Sequence, residues 1–130
     1  MKKPAKCISV EEAKKQQEQW VDTRGKEIER GGKYKDTRDF WYSLDELQEY
    51  LDYVREKSKE QGVTKPGIRF FLGAYPAGVN KGYSTIFLAP TKEKVSAVAG
   101  ETELEEEKDL NNYDIEPFNT IGTGWPPSIY

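Results

Sequence analysis

Apolar side chains recur at helical spacing in two stretches of this chain, each beginning just after a serine. Ser9 precedes Glu12 by three residues, and Ser43 precedes Glu46 by three. At that spacing a serine oxygen accepts an orphan helix N–H and the glutamate returns a bond. Beyond Ser9, Val10, Ala13, Trp20 and Val21, with Gln17 filling the gap, draw a narrow stripe that predicts a helix to about Asp22. Beyond Ser43, Leu44, Leu47, Leu51 and Val54 follow at helical spacing and Tyr50 widens the stripe, while Tyr42 and Leu47 stand as a hydrophobic staple. Gly62 is placed as a left-handed residue past the helix end and Pro66 prevents continuation, so the second helix is expected over 44–61.

The pattern then changes to that of strands. Residues 67–75 (GIRFFLGAY) and 83–90 (YSTIFLAP) are rich in β-formers, and the turn-forming PAGVNKG lies between them. They are expected to pair as an antiparallel hairpin. Ile68, Phe70 and Leu72 share one face and Phe71 takes the other; Ile86 and Leu88 likewise oppose Tyr83 and Phe87. Apolar residues on both faces predict strands covered on both sides. Two strands alone are unstable, so a further one is expected from 39–42, 95–99 or 113–118. Residues 22–38 and 100–112 read as loops or short irregular elements. The final stretch, 117–130, holds Phe118, Ile121, Trp125, Ile129 and Tyr130 among Pro and Gly. Such a composition predicts an extended strip docked on the fold.

The order of a capped helix, GIRFFLGAY, a turn, YSTIFLAPT and a tail with a Trp-Pro-Pro run resembles small Bacteroidetes proteins of unknown function. In those, an IRxYxG strand pairs with a second strand and a Pro-Pro tail closes the chain. The resemblance covers roughly residues 40–130. It implies a compact bacterial cytoplasmic domain and carries no activity with it.

Composition narrows the classes. A chain of 130 residues is expected to form one domain over 1–130, with 35% hydrophobic and 12% aromatic residues for a thin core. Net charge is −3, which argues against nucleic acid as a partner. Most of the acidic excess lies at 101–116, where eight acids face Lys108 alone, in the manner of a solvated face. With Cys7 the single cysteine, no intramolecular disulfide is possible. No apolar signal-like run or membrane-length span is visible, and a cytoplasmic location is expected.

Missing residue types decide most of the chemistry. The chain has no His, which excludes Ser-His-Asp and His-zinc sites. The glycines of GAYPAG mimic a phosphate loop, but Val79 stands where the lysine is needed. The segment 109–116 offers oxygen ligands without the carboxylate spacing of a calcium loop, so no metal or other cofactor is expected. Lys33, Tyr34, Lys35, Arg38, Phe40 and Trp41 interleave charge and rings as a single-strand nucleic-acid platform would, but the acidic pI favours a loop entering the core through Phe40 and Trp41. Arg69, flanked by apolar residues, needs a partner, either a structural carboxylate or an anionic ligand.

The expected fold is therefore α+β, two helices packed on a small, mainly antiparallel sheet centred on the 67–90 hairpin. The expected function is a non-enzymatic protein-interaction or assembly module, with a protein partner or self-association and no membrane. Its candidate binding residues are Arg69, Phe71, Tyr75, Tyr83, Phe87 and Trp125, and no catalytic residue is assigned. The alternative is a small-ligand or glycan-processing enzyme using Arg69, Tyr75 and acids of 109–116.

Overall fold

A computed structural model describes residues 1–78, 82–93, 109–119 and 122–123. The fold is α+β, with two helical runs and a three-stranded antiparallel sheet. The chain divides into two compact units, one built on Met1–Phe40 and the other on Trp41–Gly122.

In the first unit, helix α1 (Val10–Trp20) starts at Ser9, whose Oγ accepts from Glu12 N at 3.0 Å. The helix was expected to end near Asp22. Instead it passes through a five-residue π-turn, Val21–Gly25, into α2 (Lys26–Gly32), with right-handed backbone at each junction. Two local features carry it past the weak helix formers Thr23 and Gly25. The Thr23 hydroxyl donates to Gln19 O at 2.6 Å, satisfying itself against the preceding turn. The Trp20 ring lies over Gly25, so close that a Cβ there would meet it at 3.3 Å. The run stops at Lys33, which adopts a left-handed backbone with φ 56°.

The second unit contains helix α3 (Leu44–Glu60) and strands β2 (Gly67–Ala74), β3 (Ser84–Lys92) and β4 (Leu110–Asn111). Short strands β1 (Phe40–Trp41) and β5 (Gly122–Thr123) form a separate two-stranded pairing. Ser43 caps α3 as expected, its Oγ accepting from Glu46 N at 3.0 Å. At the other end Gly62 N donates to Lys59 O and Val63 N to Ser58 O, with Gly62 at φ 76°. These are the two bonds of a Schellman motif.

The hairpin pairs antiparallel without interruption, with Arg69 opposite Ala89, Phe71 opposite Phe87 and Ala74 opposite Ser84. The third strand differs from all three sequence candidates. Leu110 and Asn111 pair with Lys92 and Thr91, and Phe118 adds one isolated bridge to Leu88. Of the candidates, 39–42 contributes β1 to the separate pairing, 113–118 contributes only that bridge, and 95–99 lies outside the described residues. Asn112 explains why the chain leaves the ladder between these points. Its N–H still reaches Pro90 O, while its carboxamide accepts from Asp114 N and donates to Gln61 at the end of α3. The turn so formed drives Ile115 into the core.

That core is Tyr50 and Val54 of α3 against Leu88 and Ile115, each of the last two 1% exposed, with Tyr42, Leu47, Ile68, Ile86 and Phe118 packed around them. Among the described residues no helix is long and apolar enough to cross a membrane.

Candidate functional site

Among the described residues β2 is the outermost strand of its sheet, and its backbone shows which residues face outward. Tyr75 N donates to Tyr83 O, and on the far side of β3 Leu88 exchanges both backbone bonds with Phe118. Peptide groups alternate in direction along an antiparallel strand. Arg69, Phe71 and Gly73 therefore turn theirs toward β3, and Ile68, Phe70, Leu72 and Ala74 turn theirs to the open edge. Two of these outward residues also have exposed apolar side chains: Phe70 is 66% and Leu72 86% exposed. Both lie on the face that α3 packs against. The helix covers Ile68 and the β3 side of that face, through Leu51 and Val54, and leaves the far end of β2 bare.

The residues singled out from sequence occupy the opposite face or its border. Phe71 and Phe87 are half-buried and stack on each other, ring centroids 5.1 Å apart and planes 16° from parallel. Together with Ala89, Tyr113, Ile115 and Pro117 they line a cavity of about 290 Å³. Arg69 also lies on this face, half-buried, but its partners are neutral. One guanidinium nitrogen donates to the Asn111 side-chain oxygen and another to the Asp109 backbone carbonyl at 2.9 Å. Among the described residues its ion pair with a carboxylate, the first of the two expectations, is replaced by this tie to β4. Tyr75 donates its hydroxyl to Asn119 Oδ1 at 3.1 Å. Tyr83 contributes its carbonyl to the hairpin. Trp125 lies outside the described residues, as does most of the 117–130 strip.

Phe118, expected from sequence to dock, does so, whereas the role of Asn119 was not read from the sequence. Phe118 is sandwiched between Tyr42 and Tyr50, with centroids at 4.8 and 4.5 Å. Asn119 donates to Thr85 Oγ1 and Ile86 O and accepts from both Tyr42 and Tyr75. Burial raises the Tyr42 phenol above its ordinary value, with Tyr75 and Glu46 adding to the effect. Burial likewise pushes Tyr50 up to about 12, its hydroxyl donating to Glu116 O at 2.9 Å. Both rings stay neutral and structural across the physiological range.

No family model matches this chain, and no curated protein or solved structure matches it significantly.

Proposed function

We propose that this protein is a non-enzymatic interaction module, cytoplasmic and working through the open edge of β2. The observation that carries this reading is the coincidence of outward backbone groups and exposed apolar side chains at Phe70 and Leu72. Exposed strand edges template the addition of another strand, and natural proteins guard them with lysines, prolines or bulges. β2 has none of these over eight residues in unbroken register. Its one charge, Arg69, is turned to the other face and held by β4. Those neutral ties also weigh against the enzyme reading, which needs Arg69 available to an anionic substrate.

A second copy of the chain is the simplest occupant. An antiparallel two-fold axis at Phe71 sets Phe70 against Leu72 and Ile68 against Ala74 of the other copy, so that all four outward residues find hydrogen-bonded partners. The same axis sets Arg69 against Gly73 and avoids a like-charge contact. The exposed apolar area is well below the roughly 800 Å² per partner of a standard interface, so the association is weak and concentration-dependent.

Sedimentation equilibrium from micromolar to millimolar concentration should show mass rising above 14.9 kDa, and Leu72→Lys should suppress the rise. Register is read by mixing Phe70→Cys with Leu72→Cys, each made in a Cys7→Ser background. The mixture should cross-link far more than either variant alone, since the paired Cα atoms stand about 5.5 Å apart. A monomer throughout, with no excess cross-linking in the mixture, overturns the self-association.

A further inference from the structure

A second surface, separate from the sheet edge, lies along α3. Glu46, Glu49, Tyr50 and Tyr53 follow at spacings of 3, 1 and 3 residues, which places them on one helix face. With Phe118 they enclose an open groove of about 470 Å³, within the size range of small-ligand sites. Its walls are rings: Phe118 stacks on Tyr50, and Tyr53 stands 6.2 Å from Tyr50 with its plane tilted by 36°. Its rim is acidic. Elsewhere on the first half of α3 stand Asp45 and Asp52, and the first base of the helix comes only after them, at Arg55. Gln48 engages Asp52 at 2.9 Å, whereas the ion pairs among the described residues involve neither Glu46 nor Glu49. Two acids in the first turn outweigh the partial positive charge of the helix N-terminus, about half a unit.

We propose that this groove receives a cationic side chain, an arginine or lysine presented by a basic peptide segment of a partner protein. Charge complementarity and ring geometry carry the inference together. A guanidinium or ammonium gains from an aromatic face, and gains more where carboxylates stand beside it. With both faces of Phe118 covered by Tyr42 and Tyr50, the open ring face is that of Tyr53, 38% exposed, along which the aliphatic stem lies while the charged head meets Glu46 and Glu49. Phosphate-bearing partners are disfavoured by the same carboxylates. This site shares no residue with the edge of β2, and either can fail without the other.

The test uses the full chain, isotopically labelled, titrated with a short Ser/Gly-spaced peptide carrying two arginines. A peptide with citrulline in place of arginine, neutral and nearly isosteric, is the control. The arginine peptide should shift the amide signals of residues 46–53 and 118. The citrulline peptide should bind at least about tenfold more weakly, given the loss of charge-assisted bonds and cation–π attraction. Glu46→Gln with Glu49→Gln should weaken the arginine peptide by a similar factor. Tyr53→Leu, which keeps an apolar wall and removes the π-face, should weaken it by about threefold or more. Raising salt should weaken the parent far more than the double Gln variant. Equal binding of the two peptides, shifts confined to other surfaces, or no shifts at millimolar peptide would overturn the proposal.

Discussion

Replacing Gly62 with Ala isolates one backbone term at the end of α3. Gly62 has φ 76°, and no heavy atom stands within 4 Å of where a Cβ would be built. The substitution therefore meets no steric obstacle and acts only through conformation. Holding an L-residue in the left-handed region costs about 1–2 kcal/mol. Restricting the unfolded chain returns about 0.4–1 kcal/mol. The net expectation is a loss of about 1 kcal/mol, or roughly 4 °C in melting temperature for a chain of this size. Urea titration followed by helix circular dichroism measures it, with the slope expected to stay unchanged because the folded surface is the same. Gly62→Asn should lose less, since Asn tolerates the left-handed region. Gly78→Ala is the internal control: it too has open space around the new Cβ but no positive φ, and it should be neutral or slightly stabilising. If Gly62→Ala matches the parent, the Schellman ending of α3 is not what holds this junction.

Ser43→Ala should cost about 1 kcal/mol by urea titration, because it removes the acceptor of the Glu46 N–H. Ser58 is fully buried in α3 with its Oγ lacking a hydrogen-bond partner, so Ser58→Ala should leave stability unchanged or raise it by up to about 1 kcal/mol in the same assay. Glu93 accepts from Thr64 N, Thr64 Oγ1 and Lys65 N, bonds that hold its carboxyl at about 2, below the ordinary 4.5. Because that shift is downward, its stabilising contribution is complete above pH 4.5 and is lost as pH falls through about 2; Glu93→Gln should flatten the stability profile in that window.

The elements legible in the sequence were those whose cause is local. α3 was visible because Ser43, the Leu44–Val54 stripe and Gly62 all lie within one stretch. The hairpin was visible because β-formers flank a turn. The helical run from Asp22 to Gly32 was hidden because its support is a ring folded over a glycine and a hydroxyl returned to Gln19, neither of which has an apolar period. The third strand was hidden because two residues leave no pattern, and Asn112 fixes it through partners in β3 and α3. For the site, a period of two separated Phe70 and Leu72 from Phe71 and Phe87 correctly. Which pair is bare depends on where α3 lies across the sheet, and α3 covers β3 while leaving the outer end of β2 open. The Glu93 bonds join residues nearly thirty apart and were likewise invisible.

For the proposed association through β2, an unguarded strand edge must lead to a pair of molecules and not to a fibre. Open polymers need two complementary edges per subunit, so that each added copy exposes the next template. Here the two sides of the sheet are unequal. On the β4 side, Leu110 and Asn111 pair for only two residues, and the chain then departs through the Asn112 turn before returning at Phe118. That interruption gives an incoming strand no continuous ladder, whereas β2 offers four outward residues in a row of alternate positions. A second copy adding through β2 would use the continuous edge of both molecules at once and leave the interrupted β4 edge as the remaining edge of this three-stranded sheet among the described residues. In the proposed dimer the two-fold register at Phe71 would close on itself, and the broken β4 edge that made the third strand hard to find in the sequence would give a third copy no ladder to extend.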